Sequence, residues 1–172
     1  IKNAADAEAY VSRVAGFAKV LDEETDKIKA QAAMGITPPR FVVANALGQR
    51  TGYRQTPVAE QKLVTSITER TKAAGIPGDW NSRVTKLVES MVYPALDRQI
   101  AAFTAATANA TDTAGAYKLP DGEAYYEWAL QLGTTTNATA AEIHAIGLEQ
   151  NKALQARMDA VLKAQGMTQG SV

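Results

Sequence analysis

Apolar residues recur along this chain at steps of three and four, the spacing of a helix with one buried face. The first such run covers 4–33, with Ala7, Tyr10, Val11, Val14, Phe17, Ala18, Leu21, Ile28 and Ala32 on one side. Gly35 and then Pro38-Pro39 end it, because proline cannot continue a helix. A short helix is expected after Pro39, burying Phe41, Val42 and Leu47 and fraying by 48–52. Thr56-Pro57 reads as a capped start for a helix carrying Val58, Leu63, Val64 and Ile67, which stops at Gly75. Residues 76–79 form a turn, and Asp79 caps a long helix over 80–106. Pro94 falls inside that helix, so a kink is expected near 90–93.

The Ala/Thr-rich stretch 107–120 reads as the longest loop, of a length usually functional or mobile. Asp121 is placed to cap a helix over 122–132, which Gly133 ends. Thr139-Ala-Ala-Glu142 fits a capping box and opens the last helix, over 140–165, striped by Ile143, Ile146, Gly147, Leu154, Met158, Val161 and Leu162. No segment shows clean period-two alternation. The fold class is therefore all-α, with five to seven helices in an irregular bundle, read as one helical domain or lobe over 1–172.

Composition narrows the function classes. Eighteen basic residues balance eighteen acidic ones, which argues against a nucleic-acid partner. The absence of cysteine excludes disulfides, thiolate nucleophiles and cysteine-based zinc sites. No apolar run reaches the roughly 18 residues of a transmembrane helix. Ile1 is not an initiator methionine, and the chain stops at Gly170-Ser171-Val172 without a closing element. Both ends read as cut, and a signal peptide could precede Ile1. A piece cut from a larger core would expose apolar faces and could self-associate through them.

Candidate chemistry is sparse. His144 is the single histidine, and one histidine with Glu142 or Glu149 makes a poor zinc site. It reads as a surface or structural residue, or as part of a site shared with sequence outside this chain. Ser12, Ser66, Ser82 and Ser90 precede it, but none lies in a nucleophile elbow. Glu23-Glu24 sits on a solvated helix face, unsuited to the buried site that acid–base work requires. The triplets Asn109-Ala-Thr111 and Asn137-Ala-Thr139 match a glycosylation pattern that arises readily by chance here. Tyr125, Tyr126 and Trp128 form the densest aromatic cluster, with Tyr125 and Trp128 on one helix face. Core packing is its first reading; a phenol facing a ligand groove is the second. Thr134, Thr135 and Thr136 form a polar interhelix loop, or offer hydroxyls to an extended peptide.

Residues 119–158 carry Leu-Pro-Asp-Gly, Tyr125-Tyr126, a threonine run, Thr139-x-x-Glu142-Ile143-His144 and Gly147-Leu148-Glu149. Asp6-Ala-Glu8-Ala-Tyr10, Gly35-Ile36-x-Pro38-Pro39 and Val92-Tyr93-Pro94-Ala95-Leu96 lie upstream. In these pieces the chain resembles a bacterial family known as domain of unknown function 885. The resemblance implies a mostly helical, carboxypeptidase-like zinc metallopeptidase with a deep groove, in many members exported or lipid-anchored. It implies zinc on a His-Glu-Ala-x-Pro-Gly-His-His motif, with the glutamate activating water. That motif is not in this sequence, so the likeness implies an internal, non-catalytic piece that walls the groove. The remainder of the parent chain is then its partner, with a peptide as substrate and a periplasmic or exported location. By position, Tyr125, Tyr126, Thr134, Thr135 and His144 are the candidate substrate-binding residues. The alternative is a non-enzymatic helical binding module that uses the 107–120 loop and the tyrosine pair.

Overall fold

A computed structural model describes residues 1–170. Ser171 and Val172, part of the end read above as cut, lie outside the described residues. Every regular element among the described residues is helical: α1 (Ala4–Ala33), α2 (Arg40–Gln55), α3 (Lys62–Ala73), α4 (Trp80–Leu87), α5 (Tyr93–Ala106), α6 (Gly122–Thr134) and α7 (Ala140–Ala164). A π turn, Val88–Val92, joins α4 to α5 as one continuous helix, leaving six separate helices. The chain divides into two compact units, Ile1–Gly115 and Ala116–Val172.

In the first unit, α1 lies along α4, the π turn and α5, while α3 packs on α4 and α2 on α5. The shared core joins Ala7, Val14, Ala18 and Leu21 of α1 to Val64 and Ile67 of α3 and to Val84, Val88, Val92 and Leu96 of the long helix. Burying each of the larger aliphatic side chains contributes roughly 1.5–3 kcal/mol. A smaller cluster of Val43, Phe103 and Ala110 closes the other end of this unit.

Pro94 explains the π turn. A proline inside a helix has no amide to donate and crowds the preceding turn. The amide of Tyr93, just before it, reaches back five residues to the carbonyl of Val88. The expected disturbance at 90–93 is therefore a local widening of the helix. It turns Val92 and Tyr93 inward, and the Tyr93 phenol donates to the carbonyl of Thr56.

Three further expectations for this unit need correction. The helix after Pro39 runs to Gln55, through Gly48 and Gly52. It buries Val43, while Phe41 and Val42 stay exposed, because Val43, Ala46 and Leu47 form its inward face. Thr56 does not cap: its hydroxyl donates back to the carbonyl of Gly52, and α3 starts after a 3-10 turn, Val58–Glu60. Asp79 stands before α4 without a side-chain capping bond. The 107–120 stretch is also not wholly free. The Arg40 backbone amide donates to Thr111 O at 2.8 Å, and Arg40 Nε to Ala110 O at 3.2 Å.

The second unit holds a 3-10 turn, Ala116–Lys118, then α6 and α7. Its entry geometry accounts for the Pro-Asp-Gly sequence. Asp121 adopts φ 53°, the left-handed region, and makes no side-chain capping bond, in contrast to its expected capping role. Gly122 packs so tightly that a Cβ would lie 2.0 Å from Ala116 O, so only glycine fits. Gly133 does not end α6; the helix continues to Thr134, and Thr135 takes the left-handed exit at φ 56°. For a β-branched residue this costs about 1–2 kcal/mol. Around it the neighbouring hydroxyls bond locally: Thr134 Oγ1 donates to Leu130 O at 2.8 Å, and Thr136 Oγ1 accepts from Ala138 N at 3.3 Å.

Candidate functional site

In the second unit a cavity of about 640 Å³ opens between α6 and the start of α7. That volume lies in the range of small-ligand and peptide side-chain sites. The α6 side supplies Glu123, Tyr126, Glu127, Leu130 and Gln131, at steps of three and four along one helical face. Trp128 borders it, and Asn137, Ala138 and Thr139 close the far side.

The far wall is held by the capping box. Thr139 Oγ1 accepts from the Glu142 amide at 3.3 Å, while Glu142 Oε2 accepts from the Thr139 amide at 2.8 Å. The backbone bond from Thr139, then its hydroxyl, pull the Glu142 carboxyl below its ordinary value of 4.5. Gln131 Nε2 donates to Asn137 Oδ1 at 2.9 Å and ties the end of α6 to the loop before α7.

Of the sequence candidates, Tyr126 lines this cleft, whereas Tyr125, Thr134, Thr135 and His144 do not. Tyr125 stands on another face of α6, its ring centroid 5.8 Å from that of Trp128 with a 37° tilt. Both rings are more than half exposed, at 54% and 56%, so the core-packing reading of this pair is corrected. The threonine hydroxyls are engaged locally: Thr134 with Leu130 and Thr136, and Thr135 with the Thr134 carbonyl at 2.7 Å. His144 lies exposed on α7, one turn beyond the capping box. The structure adds Glu123, Glu127, Gln131 and Asn137 to the lining. The 123-127-131 spacing on one predicted helix was the signal that could have found the first three.

Chemically, the cleft presents two carboxylates, two side-chain amides, a phenol and an indole, with no basic residue in its wall. Such a wall accepts hydrogen bonds from amides and attracts cations. Among the described residues, no group of three or more His, Cys, Asp or Glu is placed to hold a metal ion. No helix among them is long and apolar enough to cross a membrane.

The fold matches the crystal structure of a protein from Colwellia psychrerythraea provisionally described as a lipoprotein, with a TM-score of 0.89 and 23% sequence identity. That match covers 99% of this chain but only 30% of the Colwellia chain. No curated protein matches this sequence. A family model for bacterial proteins of unknown function matches residues 1–172 from end to end. The chain thus belongs to the bacterial family of unknown function DUF885.

Proposed function

We propose that this chain is a catalytically inert helical portion of a longer bacterial zinc metallopeptidase, and that it helps wall the peptide groove. The observation that carries the reading is the cleft between α6 and α7, whose volume and polar lining suit a peptide. The metallopeptidase chemistry itself is drawn from the sequence resemblance. The span of 30% of the Colwellia chain supports a parent with room for a metal-binding helix elsewhere. In this reading Tyr126 faces the groove, while Tyr125, Thr134, Thr135 and His144 stand outside the cleft lining. An exported, lipid-anchored parent agrees with the description of the Colwellia protein.

The test is peptide hydrolysis with added zinc, measured for this chain and for the full-length parent side by side. The parent should cleave and this chain should not. Robust cleavage by this chain alone overturns its inertness. Failure of the zinc-loaded parent to cleave any of a broad set of peptides overturns the peptidase. In that second case the cleft would serve the alternative, a binding module without catalysis.

A further inference from the structure

We propose that the apolar stripe of α7 seats an amphipathic helix contributed by the rest of the same, longer parent chain. The inference shares with the proposed function only the longer parent; it holds whatever chemistry that parent performs.

The α7 helix has 25 residues, and none of them is buried. A helix of this length spans roughly 37 Å. In water such helices draw most of their stability from packing an apolar face. On α7 that face is left wet: Leu154, Met158 and Val161 are 49%, 50% and 62% exposed. With Arg157 and Leu162 they line a shallow groove of about 340 Å³. The stripe begins higher up, at Ile143 and Gly147, and keeps steps of three and four to its end. That is the ridge-and-groove surface that a second helix packs against. Gln150 is the one polar side chain in the stripe, and a lone polar position of this kind sets the register of a partner helix.

The apolar exposure continues beyond α7. Within the same unit, Tyr125, Trp128 and Leu132 of α6 are also half-exposed or more. Exposed apolar side chains on this scale mark an interaction surface. Chain length argues for the occupant: the Colwellia protein with this fold is more than three times as long as the segment matched, and all but 1% of this chain is used in the match. The parent therefore has ample sequence to supply a covering helix in cis, at an effective concentration that a second molecule does not reach.

Amide hydrogen exchange on unmodified proteins tests this without depending on catalysis. The full-length parent and the 172-residue chain are compared across 150–161, each at two concentrations. Exchange in the parent should be slower by on the order of 100-fold, independent of concentration. Equally fast exchange in the two proteins overturns the proposal, because nothing then covers the stripe. Equal protection already present in the 172-residue chain also overturns it, because this chain would then cover its own stripe. Protection that disappears on dilution, together with dissociation of a dimer, assigns the stripe to a second copy instead.

Discussion

The side-chain carbonyl of Gln99 accepts a 2.9 Å hydrogen bond from Nε of Arg50, joining α5 to α2. The Gln99 amide donates in turn to Leu21 O at 3.3 Å and to Glu24 Oε2 at 3.2 Å on α1. One buried glutamine thus ties three helices of the first unit together. Gln99→Leu keeps roughly the volume and removes every one of these bonds. It should destabilise the unit by about 1–3 kcal/mol. Urea denaturation checks it: the midpoint should fall with an unchanged slope.

Two glycines of α6 should respond in opposite directions. Gly122→Ala places a Cβ where the Ala116 carbonyl already sits, so the turn into α6 must shift. Overpacking of this kind costs about 1–3 kcal/mol. Gly133 has open space around its Cα and lies inside the helix, so Gly133→Ala should stabilise by roughly 0.5–1 kcal/mol. Thermal melts followed by circular dichroism should show the two midpoints moving apart.

Acid should weaken specific contacts. Arg83 holds the Glu8 carboxyl below its ordinary 4.5 through hydrogen bonds of 2.7 Å, and Arg98 holds Asp22 below 3.8 in the same manner. Glu142 is lowered from 4.5 by its bonds from Thr139. A lowered folded-state value means a contribution that is fully present above the unfolded value and is lost as pH falls through the folded one. Stability should therefore hold above pH 4.5 and decline below it as the glutamates protonate, with Asp22 following below 3.8. Thr139→Ala removes the capping box, at about 1 kcal/mol. It should also flatten the acid dependence of α7 helicity, read by exchange at its first turn, while leaving that of α1 intact.

On the peptidase reading, Tyr126→Ala in the full-length parent should raise KM by roughly two- to ten-fold with little change in kcat. This follows from placing the phenol in the groove wall, away from the reacting atoms. Thr134→Val should act on stability instead, because its hydroxyl already bonds Leu130 and Thr136. Steady-state kinetics beside thermal melts separates the two effects.

Helix periodicity made most of the fold legible, because α1, α3 and the long α4–α5 helix each carry one strong apolar face. Residues 41 and 42 differ from expectation because Val43, Ala46 and Leu47 form the inward arc of α2 and leave both of them outside it. Asp121 and Thr135 show the limit of turn rules. A non-glycine residue enters the left-handed region where close backbone packing or local hydroxyl bonds surround it, and neither is visible in a one-dimensional pattern. Likewise, Tyr125 and Trp128 looked like core because aromatics usually are, whereas their ring faces lie open here. The cleft was half legible: Tyr126 stood out as an aromatic, while Glu123, Glu127 and Gln131 looked like an ordinary solvated face. The family was legible through local motifs such as Leu119-Pro120-Asp121-Gly122, whose glycine is sterically required.

The central claim is that the metal chemistry belongs to the parent and not to these residues. Zinc content after exhaustive dialysis, measured by elemental mass spectrometry on both proteins, tests it most directly. The account predicts stoichiometric zinc in the full-length parent and none in the 172-residue chain. Tightly held zinc in the chain alone, or a correctly folded parent that retains no zinc, would contradict it.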